Sequence, residues 1–333
     1  MKYRKLGRTN LQVPEIGFGC GNVGGLIIRG SHDEQIKAVS LALDLGIDYF
    51  DTAPSYGNGM SETNLGKVLA ELEPEIKLAS KVELSLDQLA NIPDAVESSV
   101  EASLDRLQHD HFDVLQLHSR IALTRDSSLW HGSLSVDDVL GENGVADAFD
   151  NIRRDGKTWF IGFTGIGETA ALHKVVESER FDVVQSYFNL LNPSAGYSVS
   201  QEFSGYDFKQ LIDKANTRKM GVAAIRVMAA GALGGSSSRE GNAARTISGP
   251  MVPGGEYEKD EDRASRLGFL LKGSRSLPQV ALQFVLTHQG VSTALVGFSN
   301  LNQIREAVES TDFGPILESD IEKLRDLWRQ DKW

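Results

Sequence analysis

The chain has 333 residues, of which 41% are hydrophobic and 24% charged, so it holds enough apolar material for a sizeable core. Its formal net charge of −12, from 34 basic and 46 acidic residues, argues against nucleic acid or an anionic membrane as the main partner, because both need a basic surface. A single cysteine, Cys20, excludes an internal disulfide and fits a reducing compartment. The first residues lack the apolar core of a signal peptide and no apolar run approaches ~18 residues, so the cytoplasm is the expected location.

Helices and strands alternate through the first half of the chain. A turn at residues 7–10, Gly-Arg-Thr-Asn, stands between two short apolar stretches and predicts a β-hairpin ahead of the main fold. Strands are predicted at residues 15–21, 47–50, 76–81 and 112–118, and helices at residues 33–45, 61–72, 96–107 and 146–154. Ser61 is a candidate N-cap of the second helix, and a long loop at residues 119–138 precedes the fourth.

The same alternation continues through the second half. Strands are predicted at residues 159–163, 181–187, 221–225 and 293–297. Helices are predicted at residues 169–178, 208–217, 262–272, 277–288 and 320–328. A further helix begins after Asn300, its expected N-cap, with Gln303 in the capping-box position. A loop rich in glycine and serine spans residues 231–255.

Eight strands, each followed by a helix, predict an α/β fold: one (β/α)8 TIM barrel over residues 1–333, with an N-terminal β-hairpin. A doubly wound open sheet is the alternative, and it would carry a glycine-rich turn after its first strand. The run Gly17-Phe18-Gly19-Cys20-Gly21 resembles such a turn, but the G-x-G-x-x-G fingerprint needs glycine at position 22, which is Asn22. The barrel is therefore the preferred prediction.

Polar residues stand at the ends of three consecutive predicted strands, and in a barrel this is the mouth where catalysis occurs. Asp51 follows the second strand and Tyr56 lies in the loop beyond it, while Lys81 and His118 end the third and fourth strands. Reduction of a carbonyl by a nicotinamide cofactor needs a proton for the developing alkoxide, and a tyrosine can supply it. Lys81 can lower the pKa of that tyrosine, Asp51 can hold the lysine, and His118 can orient the carbonyl oxygen. Taken singly, each of the four also has an ordinary structural explanation as a cap, a turn, a solvated strand end or a buried histidine.

These residues stand within the runs Asp51-Thr52-Ala53-Pro54-Ser55-Tyr56-Gly57, Ser80-Lys81 and Leu115-Gln116-Leu117-His118. The runs resemble the aldo-keto reductase family, whose catalytic tetrad is Asp, Tyr, Lys and His in this order. The resemblance implies an NAD(P)(H)-dependent oxidoreductase that interconverts an aldehyde, ketone or aldose with an alcohol or lactone, with Tyr56 as general acid and base. The run from Arg226 to Leu233 is similar to the aldose dehydrogenase branch. The alternative is a regulatory subunit that binds cofactor on the same fold, since potassium-channel β-subunits also resemble this family.

The resemblance also implies a set of cofactor-binding residues. They are Gly19, Cys20, Gly21, Asp51, Thr164, Gln185, Ile225, Arg226, Gly297, Ser299, Asn300 and Gln303. Two departures from the family pattern stand out. Ile225-Arg226 occupies the place of the aromatic ring that stacks on nicotinamide, and Gly297 and Gln303 occupy those of the lysine and arginine of many NADPH-binding members. NADP(H) is the favoured cofactor, NAD(H) remains open, and Arg305 is a nearby basic residue; no metal is expected.

Two loops are expected to shape a substrate pocket, because specificity in barrels resides in the loops after the strands. Candidate contacts are Arg29 in the loop after the first strand, and Trp130 and His131 in the loop of residues 119–138. The loop of residues 231–255, which includes Ser248, can fold over the cofactor or the pocket. The expected partner is a small carbonyl, alcohol or sugar, with no nucleic acid or membrane, and the expected assembly is a monomer or a small homo-oligomer.

Overall fold

A closed barrel of eight parallel strands forms the centre of the computed structural model, which describes residues 1–235, 239–247 and 249–329. The strands in chain order are β1 Tyr3–Lys5, β2 Gln12–Pro14, β3 Ile16–Gly19, β4 Tyr49–Asp51, β5 Lys77–Val82, β6 Phe112–Leu117, β7 Ile121–Ala122, β8 Leu134–Ser135, β9 Thr158–Gly165, β10 Val183–Tyr187, β11 Gly221–Ile225 and β12 Thr293–Gly297. The barrel comprises β3 to β6 and β9 to β12, each hydrogen-bonded to its barrel neighbours in the chain, and β12 closes it against β3. Strands β1 and β2 form an antiparallel hairpin, and β7 and β8 pair separately. The predicted barrel with an N-terminal hairpin is confirmed.

Helices surround the strands. They are α1 Leu26–Arg29, α2 His32–Asp44, α3 Met60–Leu72, α4 Ile92–Leu107, α5 Val136–Leu140, α6 Val145–Arg154, α7 Thr169–Glu177, α8 Leu211–Thr217, α9 Tyr257–Ser265, α10 Leu277–Thr287, α11 Leu301–Glu309 and α12 Glu318–Trp328. Short 3₁₀ helices lie at Gly7–Thr9, Leu86–Ala90, Ala229–Gly231, Arg266–Leu270 and Ser310–Asp312. The larger core fills the space between the strands and these helices.

A second apolar cluster fills the barrel interior, and the hairpin packs against it. Its strand members are Tyr49, Ala79, Val114, Val183, Ala223 and Leu295, and Leu6 and Val13 join them from the hairpin. The turn of the hairpin fits closely against β11, where a Cβ on Gly7 would lie 2.1 Å from the Gly221 nitrogen. Burying a side chain such as Leu6 contributes about 1.5–3 kcal/mol, so the hairpin stabilises the N-terminal end of the barrel. The loops that follow the strands lie at the opposite mouth, where all eight strands end.

Some boundaries differ from the predictions, and in each case loop geometry is the reason. Helix α3 begins at Met60, after a turn in which Gly57, Asn58 and Gly59 all have positive φ, so Ser61 is not its N-cap. The Ser61 hydroxyl instead donates to the Cys20 carbonyl at 2.9 Å. Helix α8 begins at Leu211 because the two residues before it have left-handed backbone angles.

Three further predictions also differ from the structure in detail. The loop of residues 119–138 contains β7, β8 and the start of α5. The helix predicted at residues 262–272 begins earlier, as α9, and continues as a 3₁₀ helix that ends at Leu270. Asn300 caps α11 as expected, but the Gln303 side chain accepts from the Ser299 nitrogen at 2.8 Å and not from the cap residue. Ser248 and residues 236–238 of the glycine-rich loop lie outside the described residues.

Candidate active site

A buried ion pair lies at the mouth of the barrel, between the ends of β4 and β5. Lys81 Nζ donates to Asp51 Oδ1 at 2.6 Å and to the Thr52 carbonyl at 2.7 Å, and the two charged side chains are 0% and 5% exposed. Asp51 Oδ2 also accepts from Gln116 at 3.2 Å and from Gln185 at 2.5 Å. Burial acts to lower the pKa of Lys81, but the charges of Asp51 and Tyr56 outweigh it, and the pKa is raised. The lysine is therefore an ammonium at neutral pH.

Tyr56 lies against this ammonium, with Lys81 Nζ 4.7 Å from the centre of its ring. Burial raises the pKa of Tyr56, the Lys81 charge lowers it, and the Asp51 charge raises it; the net pKa is above the ordinary value. The sequence-based expectation was a lowering by Lys81, and that contribution is present but smaller than the effect of burial. The phenol thus holds its proton at neutral pH.

His118 stands edge-on to Tyr56, with ring centroids 5.7 Å apart and planes at 86°. Its Nδ1 lies 3.3 Å from Ser55 Oγ and 3.4 Å from Glu83 Oε2. The hydrogen bond with His118 holds the pKa of the Glu83 carboxyl below its usual range, although burial opposes this. These contacts fix the orientation of the ring through Nδ1, and Nε2 makes no hydrogen bond to any residue that the structure describes. Glu83 was missed in the sequence, where its spacing of two residues after Lys81 was the available signal.

A cleft runs from Asp51, Tyr56 and His118 to the start of α11. Its inner cavity, of about 400 Å³, is lined by Gly19, Gly21, Asp51, Tyr56, His118, Thr164, Gln185, Ile225, Arg226 and Gly297, among others. A second cavity, of about 280 Å³, shares Val23, Gly24, Met228, Gly231 and Gly297 with the first and continues to Ser299, Asn300 and Gln303. Nearly all the predicted cofactor residues therefore lie along one elongated cleft.

The lining of this cleft suits a dinucleotide. The Thr164 hydroxyl is buried and has no hydrogen-bond partner among the described residues, so a bound polar group can satisfy it. Gly24 passes so close to the end of β12 that a Cβ there would lie 2.4 Å from the Gly297 carbonyl carbon. A Cβ on Gly21 would lie 3.6 Å from the Tyr56 ring and fill space beside it. Glycines without side chains therefore line the cleft at Gly21 and Gly24, where a bound group could approach the backbone closely.

Several predicted residues lie apart from the cleft or are engaged elsewhere. Cys20 is buried outside the lining, burial raises the pKa of its thiol, and its backbone nitrogen donates to the Asp51 carbonyl at 2.9 Å. Arg29 donates to the carbonyls of Asn22 at 2.6 Å and Asn242 at 2.8 Å, which ties two loops together. Arg305 is exposed and lines neither cavity.

The two remaining substrate candidates differ in position. Trp130 is 2% exposed and packs its ring edge-on against Tyr206, with centroids 5.0 Å apart, away from the tetrad cavity. His131 is exposed and lines a cavity of about 400 Å³ that adjoins the tetrad and includes Glu83, His118 and Arg120. The structure therefore brings His131, but not Trp130, near the tetrad.

A basic residue that was not predicted from the sequence lies at the far end of the cleft. Arg239 lines the second cavity together with Glu240 and Glu306. Its guanidinium stacks 4.7 Å above the Tyr257 ring and donates to the carbonyls of Ala230 at 2.7 Å and Ala244 at 3.2 Å. The signal in the sequence was only that Arg239 is the first basic residue of the glycine-rich loop.

Two further observations concern the described residues as a whole. No group of three or more His, Cys, Asp or Glu side chains within residues 1–235, 239–247 and 249–329 is arranged to hold a metal ion. None of the helices in the same part of the chain has both the length and the apolar character needed to span a membrane.

Comparison with known proteins places this geometry in context. Residues 15–329 match the model of the aldo/keto reductase family. The chain is 29% identical over 316 residues to L-galactose dehydrogenase of Arabidopsis thaliana, which covers 92% of this chain and 87% of the relative. It is 24% identical over 333 residues to D-threo-aldose 1-dehydrogenase of a Pseudomonas species, with 90% of each covered. The fold is similar to that of an aldo/keto reductase from Klebsiella pneumoniae solved in complex with NADP and acetate, with a TM-score of 0.66, 19% identity, and 98% and 96% of the two chains covered.

Proposed function

The chain belongs to the aldo-keto reductase family of NAD(P)-dependent oxidoreductases, and we propose that it interconverts an aldehyde, ketone or aldose with the corresponding alcohol or lactone. Tyr56 serves as general acid and base. The observation that carries the proposal is the buried Asp51–Lys81 ion pair beneath the Tyr56 ring, in the wall of a cleft that suits a dinucleotide. An aldose is a favoured substrate class because two relatives are named as sugar dehydrogenases.

The tetrad residues divide the work of proton transfer in this proposal. When bound, the nicotinamide supplies or accepts the hydride. Burial raises the pKa of Tyr56, so its phenol is protonated at neutral pH and can donate to a developing alkoxide. The Lys81 ammonium stabilises the phenolate that remains, and Asp51 holds the lysine in place. His118, fixed through its Nδ1 contacts, orients the carbonyl oxygen from the other side.

The same pKa argument predicts how each direction of the reaction depends on pH. Reduction needs the phenol, which is the abundant form of Tyr56 at neutral pH when burial raises its pKa. Oxidation needs the phenolate, so the rate of alcohol or aldose oxidation should rise as the pH increases toward the pKa of Tyr56. Oxidation should therefore gain more than carbonyl reduction from an increase in pH above neutrality.

The cofactor residues fall into two groups in this proposal. Thr164 offers a free hydroxyl and Ile225 an apolar surface at the nicotinamide end, where Gln185 supports Asp51. Ser299, Asn300 and Arg239 line the adenosine end. NADP(H) is favoured because Arg239 can pair with a 2′-phosphate and the Klebsiella pneumoniae neighbour was solved with NADP. Glu240 and Glu306 line the same cavity and oppose a phosphate, so NAD(H) is the second choice.

A paired screen of cofactors and substrates tests this function. Consumption of NADPH and NADH is followed by absorbance with a panel of aldehydes, ketones and aldoses, alongside calorimetric titration of each cofactor. We expect tight binding of at least one cofactor and turnover with members of the panel. Binding without turnover on any carbonyl or aldose would favour the regulatory-subunit alternative, and the absence of cofactor binding would refute both.

A further inference from the structure

Arg226 places a positive charge in the wall of the tetrad cavity. It directly follows β11 and lines the cavity with Tyr56 and His118. Its backbone has a φ of 56°, which costs a non-glycine residue about 1–2 kcal/mol. The strain is held by hydrogen bonds to its carbonyl from Asn189 Nδ2 at 2.9 Å and the Ala229 nitrogen at 2.8 Å. A strained conformation that the surroundings enforce at a cleft is typical of a functional residue.

The guanidinium of Arg226 lacks the partners that the other charged groups of this cavity have. Asp51 pairs with Lys81, and Glu83 contacts His118. The Arg226 side chain makes neither a hydrogen bond nor an ion pair to any residue within 1–235, 239–247 and 249–329. Asp260, whose pKa is affected by the Arg226 charge, is itself paired with Arg263 at 2.9 Å.

The charge of Arg226 acts within the tetrad cavity. Burial raises the pKa of Tyr56, and Arg226 is among the groups that oppose this shift, so its field reaches the phenol. Arg226 lines the inner cavity but not the second one, where Arg239 is the lining arginine. Arg226, whose side chain has no polar partner among the described residues, therefore lines the end of the cleft where substrate must meet Tyr56.

We propose that Arg226 binds a negatively charged group of the carbonyl substrate, a carboxylate or a phosphate. The preferred substrates are then acidic aldehydes, acidic ketones or acidic sugars; this rests on the oxidoreductase function proposed above. A guanidinium suits the role because its planar N–H groups match two oxygens of a carboxylate or phosphate at once. The family resemblance implies instead that Arg226 binds the cofactor, whose phosphates are the other source of such oxygens. The experiment separates the two assignments.

Matched acidic and neutral aldehydes test the inference. The pairs are 4-carboxybenzaldehyde with 4-formylbenzamide, and 4-oxobutanoate with butanal. In Arg226→Gln, kcat/KM should fall about 10- to 100-fold for the acidic member of each pair, as expected for loss of a charge-assisted hydrogen bond, and by less than about threefold for the neutral member. Arg226→Lys should recover part of the loss. Arg154→Gln removes one positive charge from an exposed site on α6 and should leave the ratio within each pair unchanged.

Two binding measurements complete the test. Calorimetry should give dissociation constants for NADPH and NADH within about threefold of wild type in Arg226→Gln, and a loss of tenfold or more would overturn the inference by assigning the guanidinium to the cofactor. The unreactive benzoate ion should bind the wild-type enzyme–NADP⁺ complex at least about tenfold more tightly than the Arg226→Gln complex, whereas benzamide should not distinguish them. Equal benzoate affinity would also overturn it. Failure of the proposed function has a different signature, because then none of the four aldehydes turns over although benzoate binding still decides the role of Arg226.

Discussion

Replacing Lys81 by methionine removes the ammonium from the site while keeping most of the length of the side chain. The charge lies 4.7 Å from the centre of the Tyr56 ring and 2.6 Å from Asp51 Oδ1. At a separation of ~5 Å and an effective dielectric constant of ~20, it stabilises a phenolate by about 3 kcal/mol, which is roughly 100-fold in the equilibrium between phenol and phenolate. The variant should therefore have a higher Tyr56 pKa, because the charge that lowers it is gone.

The pH dependence of oxidation measures this shift directly. In the proposed mechanism the Tyr56 phenolate is the base in alcohol or aldose oxidation, so kcat/KM should increase tenfold per pH unit below the pKa of Tyr56. A higher pKa moves this rising limb to higher pH, and at any fixed pH below both pKa values Lys81→Met should be about 100-fold slower. An oxidation limb at the wild-type position, with wild-type rates, would refute the role of Lys81.

Loss of folding must be separated from loss of catalysis in this variant. Lys81→Met leaves Asp51 buried without its counterion, which typically costs about 3–5 kcal/mol. The double variant Asp51→Asn/Lys81→Met has no unpaired buried charge and should recover much of the free energy of unfolding without recovering the oxidation rate. Lys77→Met is the matched control: it removes a lysine from the other end of β5, where Lys77 pairs with Asp48 at 2.6 Å, and should leave the pH profile unchanged.

Three other changes test separate parts of the cleft. Tyr56→Phe removes only the phenol oxygen, so turnover should fall by ~10²-fold or more while the dissociation constant for NADPH stays near the wild-type value. Near-normal turnover would rule out Tyr56 as the proton donor. Thr164→Val replaces a buried hydroxyl that has no hydrogen-bond partner among the described residues, so the melting temperature should stay the same or rise. NADPH should bind about 3- to 10-fold more weakly, and an unchanged affinity would show that Thr164 does not bind the cofactor. In calorimetric titrations the wild-type protein should bind NADPH more tightly than NADH by roughly 10- to 100-fold. Arg239→Gln should abolish most of that preference by weakening the binding of NADPH alone. Equal losses of affinity for both cofactors would show that Arg239 does not contact the 2′-phosphate.

The parts of this structure that follow from periodic patterns were predictable from the sequence. Alternating apolar strands and amphipathic helices specify the barrel, and residues at the ends of parallel strands, such as Asp51 and Lys81, must then meet at one mouth. Loop residues have no such periodicity. The position of Glu83 beside His118, and that of Arg239 in the second cavity, depend on the path of the chain after each strand. Ser61 was misassigned for the same reason, because a left-handed turn starts α3 ahead of it.

Charge in the cleft comes from opposite sides of the barrel. Asp51, Lys81 and His118, which belong to the proposed proton-transfer machinery, are carried by β4, by β5 and by the residue after β6. Arg226 and Arg239, which line the cleft and form no ion pair with a described carboxylate, both come from the segment after β11. Arg226 lines the end of the cleft beside Tyr56, and Arg239 lines the end beside α11. In the functions proposed above, this one segment therefore contributes to recognition of both the substrate and the cofactor. Changes within it can alter which anions bind while the Asp51–Lys81 pair, 2.6 Å apart and held from other strands, keeps its geometry.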